Sequence, residues 1–177
     1  MIKVGILGDI GSGKSFIAKQ FGYPVFNADK EVSKIYKNNK SCFIKLRNKL
    51  PKYLKSYPIK KEELIKAIIK NKKNLETIIK IVHPIIRKKI QIFIKKNKKH
   101  KLVILDIPLL IENRINNKNF ILIFVDAKKT ELNKRLKKRL NYNKKLIYNF
   151  RKIQKPLKEK KKLSNYIIKN NFKLSSI

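Results

Sequence analysis

Residues 2–21 read IKVGILGDIGSGKSFIAKQF: a short apolar run, a glycine-rich turn and the start of a helical pattern. Within this stretch Gly8-Asp9-Ile10-Gly11-Ser12-Gly13-Lys14-Ser15 satisfies G-x-x-x-x-G-K-[ST] in full, with a strand expected before it and a helix after it. Each position has a chemical reason. Glycines let the backbone curl until successive N–H groups face inward around a phosphate. A side chain at Gly13 would block that approach. Lys14 is placed to reach the β- and γ-phosphates, and the Ser15 hydroxyl to ligate Mg²⁺. The stretch therefore implies a nucleoside triphosphate site formed by Gly8, Gly11, Ser12, Gly13, Lys14, Ser15 and Phe16. It does not specify what the phosphate is transferred to. A chance glycine-rich turn is the competing explanation, and the complete pattern with both flanks weighs against it.

Working outward, Ile2 to Leu7, Pro24 to Phe26, Leu102 to Leu105 (LVIL), Phe120 to Val125 (FILIFV) and Tyr166 to Ile168 are short apolar runs. The longer ones are continuous rather than alternating, as expected of strands buried on both faces of a parallel sheet. Helical spacing is expected over Lys14 to Phe21, from Ala28 to about Tyr36, around Phe43 to Leu50, and over Glu62 to Val82. It recurs over Thr130 to Leu140, Asn143 to Ile153 and Pro156 to Leu163. A separate helix is expected to begin at His83-Pro84, because proline suits a first helical position. Residues 38–60, lysine-rich and broken by Pro51 and Pro58, read as a largely irregular connection. The alternation implies an α/β fold, a doubly wound parallel sheet of about five strands.

Three carboxylates follow strands and are expected at the ligand-binding end of such a sheet: Asp29, Asp106 and Asp126. Asp29 is the candidate for accepting the proton of an acceptor hydroxyl; its competing role is an N-cap before Lys30. Asp106 is the candidate for contact with the metal or its water, against a simple strand terminator. Asp126 reads as a helix cap or a backbone contact to nucleotide.

Composition bounds the rest. The chain has 177 residues, enough for one domain with small inserted lobes, and 42% are hydrophobic. No 18-residue apolar run or secretory signal is read, and the single cysteine, Cys42, precludes an internal disulfide and fits a reducing, cytoplasmic setting. Two histidines, His83 and His100, give no zinc spacing. The formal net charge is +36, with 47 basic residues of which only six are arginine. A nucleic-acid or membrane surface would use such charge. Abundant isoleucine and asparagine point instead to AT-rich coding bias, and the lysines run through the whole chain rather than gathering in one patch. No specific nucleic acid and no membrane partner are therefore expected.

Taken together the residues resemble dephospho-CoA kinases, along nearly the whole chain and in order. The resemblance rests on Gly8 to Ser15, Ala28-Asp29, His83-Pro84, Leu105-Asp106-Ile107-Pro108-Leu109-Leu110-Ile111-Glu112 and Val125-Asp126. It continues through Arg135, Arg139, Gln154, Pro156-Leu157, Lys160 and Tyr166 to Asn170. It implies a P-loop NTPase-type fold with a core at 1–29, 101–138 and 159–177. A helical acceptor lobe would run from about 30 to 100, and a small basic lid from about 139 to 158. It implies γ-phosphoryl transfer from ATP, with Mg²⁺, to the ribose 3′-hydroxyl of dephospho-CoA by a monomer. Lys14, Asp29 and Arg139 would be catalytic, Asp29 and His83 would bind the acceptor, and Ser15 and Asp106 would hold the metal. Arg139 could equally be a solvated cation, and His83 a helix-capping residue. Glu112 is a candidate for orienting the acceptor lobe. Two rivals remain: a P-loop kinase for another small acceptor such as a nucleoside monophosphate, and a nucleic-acid-dependent ATPase. The chain departs from the pattern it resembles: Asn27 stands for an acidic residue, Asn165 for an aspartate, Leu7 and Phe16 for hydroxyl residues and Asp9 for a glycine, and the chain is shorter at its C-terminus.

Overall fold

The computed structural model describes residues 1–113, 115, 120–138 and 142–172. Five strands form one sheet in the order β2-β3-β1-β4-β5, every neighbouring pair parallel: β1 (Ile2–Gly8), β2 (Val25–Asn27), β3 (Leu102–Asp106), β4 (Phe120–Asp126) and β5 (Tyr166–Lys169). The continuous apolar runs have the expected cause. Successive side chains of β4 go to opposite faces, Leu122 and Phe124 into one core and Ile123 and Val125 into the other. In β1, Val4 and Ile6 enter the smaller core with Ile17 and Ala18 of α1 (Lys14–Gln20), while Leu7 enters the larger.

The larger core is completed by α2 (Ala28–Asn38), α3 (Lys40–Lys49), α4 (Lys61–Lys70) and α5 (Lys72–Lys96). The helices around residues 28–50 are longer than the sequence reading gives. The pattern expected as one helix over 62–82 is divided at Asn71, whose side chain accepts from Lys73 N at 2.9 Å and caps α5. The break expected at Pro84 is absent. Leu75, Ile78, Val82, Ile86 and Ile90 form an unbroken buried stripe, and α5 runs through the exposed proline. The missing backbone bond costs about 3 kcal/mol. Burial of five large aliphatic side chains, each contributing roughly 1.5–3 kcal/mol, outweighs it.

Three helices follow β4: α6 (Lys129–Lys137), α7 (Lys144–Lys152) and α8 (Leu157–Lys162). α7 packs on α4, where Asn149 Nδ2 donates to Ile68 O at 2.8 Å in a buried bond. The D-I-P-L-L segment after β3 is drawn over the central strand. Leu110 is fully buried, and a Cβ at Gly5 would lie 2.3 Å from its Cδ2, so any side chain there would have to displace Leu110. Among the described residues no helix is long and apolar enough to cross a membrane.

Candidate active site

β1 lies between β3 and β4, so its C-terminal end delivers Gly8 to the middle of the sheet edge where parallel α/β folds bind ligands. The chain then turns back into α1 through Gly11 (φ +87°) and Gly13 (φ +89°). Gly13 is required twice. Its φ is left-handed, and a Cβ there would lie 2.4 Å from Asn170 Nδ2. Asn170, buried at the end of β5, donates from that nitrogen to Ser12 O at 2.9 Å and clamps the loop from outside. The Ser12 hydroxyl is buried with no hydrogen-bond partner among the described residues.

Lys14 folds over the loop, Nζ donating to Asp9 O at 2.6 Å and Gly8 O at 3.2 Å. Burial pushes its pKa down to about 8, opposed first by the Asp106 carboxylate and reinforced by the Lys160 ammonium, with Asp9 and Asp29 also raising it. Three carboxylates and a second lysine therefore act on this one ammonium.

Asp106 ends β3, in register with Ile6 of β1 and Asn27 of β2. It is buried, and its Oδ2 accepts from Ser15 Oγ at 2.5 Å and from Asn27 Nδ2 at 2.6 Å. It is thus more than a strand terminator. Asn27 Oδ1 accepts from Lys30 N at 2.8 Å, so Asn27 is the N-cap of α2. That removes the capping role weighed for Asp29, which lies in the first turn, exposed. Asp29, Asn27, Ser15 and Phe16 line one open cleft of about 470 Å³ with Val25, Lys19 and Lys30. Ser15 and Asp106 supply hard oxygen donors 2.5 Å apart, the type that suits Mg²⁺, which takes one or two side-chain ligands beside phosphates and water. Among the described residues no three His, Cys, Asp or Glu side chains form a denser metal cluster.

The family model for dephospho-CoA kinase matches residues 2–176. The chain belongs to the dephospho-CoA kinase family. It is 34% identical over 170 residues to the dephospho-CoA kinase of Wolbachia sp. subsp. Brugia malayi, an alignment covering 93% of this chain and 87% of that one. It is 30% identical over 182 residues to that of Fusobacterium nucleatum, covering 98% and 92%. The crystal structure of TT1252 from Thermus thermophilus superposes with a TM-score of 0.75 at 26% identity, covering 99% of this chain and 91% of the other. As a member of the family the chain is an ATP-dependent kinase that acts on a hydroxyl group of a small molecule.

The other residues expected in a dephospho-CoA kinase site divide. His83 is half-buried on α5, its Nε2 3.3 Å from Asn113 Nδ2, and burial followed by the Arg87 charge pushes its pKa down. It is not among the residues lining the cleft, and it starts no helix. Arg139 lies outside the described residues. Asp126 caps no helix: Lys128 is the N-cap of α6, and Asp126 Oδ2 accepts from Lys161 Nζ at 2.7 Å. Glu112 binds the α7–α8 connection and α8. Its Oε1 accepts from Lys160 Nζ and Lys155 N, both at 2.8 Å, and its Oε2 is buried with no hydrogen-bond partner among the described residues.

Lys160 was not singled out for any role by sequence reasoning, and neither were Asn170 and Arg151. Lys160 is 1% exposed and spends its other donors on Gln154 Oε1 (3.0 Å) and Pro108 O (3.4 Å), joining the D-I-P-L-L segment to the α7–α8 connection. Lysine is so abundant in this chain that one buried lysine carries no mark in the sequence. For Lys160 and Asn170, membership in the family-like stretches was the only available signal.

Proposed function

We propose that this enzyme moves the γ-phosphoryl group of ATP to the ribose 3′-hydroxyl of dephospho-CoA by direct in-line transfer, with Asp29 taking the hydroxyl proton. The 3′-oxygen forms a bond to the γ-phosphorus as the bond to the β–γ bridging oxygen breaks, and ADP leaves. The observation that carries this reading is the convergence of Ser15, Asp106, Asn27 and Asp29 beside Lys14 at the ends of β1, β2 and β3. A phosphate loop with a carboxylate on the adjoining strand–helix corner is the arrangement that phosphoryl transfer to an alcohol requires.

In this reading the loop amides and Lys14 hold the triphosphate. Ser15 and Asp106 would hold Mg²⁺, which when bound neutralises charge on the transferring phosphoryl group. The amide of Asn27 fixes the Asp106 carboxylate. The helices from residue 30 to 100 form the acceptor lobe, and the segment 139–158, containing α7, is the lid that excludes water. Arg139 belongs to that lid and would meet the phosphates; His83 would support the acceptor lobe through Asn113 rather than meet the acceptor. The nucleic-acid-dependent ATPase weighed on charge gains no observation in its favour.

The test is ADP release with ATP, Mg²⁺ and a panel of acceptors. Dephospho-CoA is expected to be preferred over nucleoside monophosphates. Lys14→Ala is expected to lose turnover. Asp29→Asn is expected to bind ATP normally while turnover falls by about 10²–10⁴, the usual worth of a positioned acid–base group. Near-normal turnover in Asp29→Asn would overturn the assignment of the base.

A further inference from the structure

Asp9 puts a carboxylate into the phosphate-binding loop, at a position where the family pattern has glycine. Its side chain is 10% exposed. Oδ1 accepts from Ile10 N at 2.7 Å and from Arg151 Nε at 3.1 Å, and Oδ2 accepts from Arg151 Nη2 at 2.7 Å. This is a two-pronged carboxylate–guanidinium pair, the geometry in which arginine binds most specifically. It joins the first loop of the fold to the last turn of α7, 142 residues later. Two residues earlier, Asn149 binds Ile68 O of α4. α7 is therefore held at both ends of a bridge, by the phosphate loop and by the α2–α5 lobe.

The carboxylate creates a problem that the arginine solves. A triphosphate carries several negative charges, and a buried anion in the ring that grips it opposes binding. Asp9 also touches the ammonium that must meet those phosphates, because its carbonyl accepts from Lys14 Nζ at 2.6 Å. Displacing Asp9 would displace Lys14.

We propose that Arg151 is a positioning residue of this kinase: it neutralises Asp9 and pins α7 across the phosphate loop, so that ATP binding depends on Arg151 because Asp9 is present. The inference rests on residues 8–15 being the triphosphate site. In this chain the acidic loop residue and the helix arginine work as one unit, and the pair sets the affinity for nucleotide rather than the chemical step.

The experiment is steady-state ADP release by wild type, Arg151→Gln, Arg151→Lys and Asp9→Asn/Arg151→Gln, with Lys14→Ala alongside and a melting curve for each. Arg151→Gln is expected to raise KM for ATP about tenfold or more, with kcat changed less. The double variant is expected to return KM to within about threefold of wild type, because the charge that needed a partner is gone. Arg151→Lys, keeping the charge without the fork, is expected in between. A double variant as impaired as Arg151→Gln would overturn the proposal and make Arg151 a direct phosphate ligand. So would a wild-type KM in Arg151→Gln. Should Arg151→Gln fail to fold, Arg151→Lys and the double variant carry the same comparison. If Lys14→Ala retains turnover, the reading of the loop itself has failed, and that outcome is visible separately.

Discussion

Replacing Lys14 with methionine is expected to abolish turnover and to change how stability depends on pH. The ammonium is mostly buried, held by the Gly8 and Asp9 carbonyls, and its pKa is pushed down from 10.5 to about 8 chiefly by burial. A lysine with a lower pKa folded than unfolded destabilises the fold while both states are protonated, below about pH 8. Between about 8 and 10.5 the unfolded chain binds more protons, so stability rises with pH through that window. Each pKa unit corresponds to about 1.4 kcal/mol, so the interval is worth on the order of 3 kcal/mol. The other lysines also titrate there, and relief of the +36 net charge will raise wild-type stability as well. The difference between Lys14→Met and wild type cancels that common background. Urea unfolding is the suitable assay, since urea, unlike guanidinium, adds no salt to screen the charges. The stability advantage of Lys14→Met over wild type is expected to shrink by about 3 kcal/mol between pH 7 and pH 10.5. Two curves that stay parallel across that range would show that Lys14 is not held as a buried, destabilised cation, and the electrostatic account of the site would fall.

The same shift predicts that affinity for ATP weakens as pH rises through about 8, because the binding form of Lys14 is the ammonium; calorimetric titration of ATP at pH 7 and 9 checks it. Asn27→Asp would set a second carboxylate 2.6 Å from Asp106 Oδ2. It is expected to lower the melting temperature without Mg²⁺, to recover it with Mg²⁺, and to tighten the apparent Mg²⁺ requirement, read from melts and from ADP release. Lys160→Met strands the buried Glu112 carboxylate and is expected to cost about 3–5 kcal/mol in urea, whereas Lys160→Met with Glu112→Leu is expected to cost clearly less.

The sheet was legible because parallel strands buried on both faces leave unbroken apolar runs, and the loop's place between β1 and α1 because its glycines sit where the backbone takes a left-handed φ. What stayed hidden depended on contacts distant in sequence. A proline is an N-terminal signal only when the apolar stripe also restarts. Around Pro84 the stripe from Leu75 to Ile90 continues, and only its burial against the sheet shows that it prevails. Asp29 and Asn27 could each have capped α2; the backbone settles on Asn27. Nothing local distinguishes Lys160 and Arg151 among 47 basic residues, and their ion pairs exist only because Glu112 and Asp9 face them.

Four of the five departures from the family pattern, all but the exposed Phe16, are absorbed by specific neighbours. Leu7, in place of a hydroxyl residue, is buried in the larger core with Phe124 and Leu122 and needs no polar partner. Asn165, in place of an aspartate, exchanges two bonds with Leu122 of β4: its Oδ1 accepts from Leu122 N and its own N donates to Leu122 O, both at 2.8 Å. An aspartate could accept the first bond equally well, so the swap removes a charge and leaves the start of β5 tied in place. Asn27 removes a negative charge beside Asp106 and supplies a donor in exchange. Asp9 adds one beside Lys14, and Arg151 answers it. Relative to that pattern one carboxylate is lost beside Asp106, the proposed metal ligand, and one is gained in the loop beside Lys14, where Arg151 pairs with it. On the proposed site, with Mg²⁺ at Ser15 and Asp106, the net change would be a weaker field for the metal with the field on the triphosphate left nearly as it was. Among these departures, Asn27 is therefore the one expected to limit the enzyme.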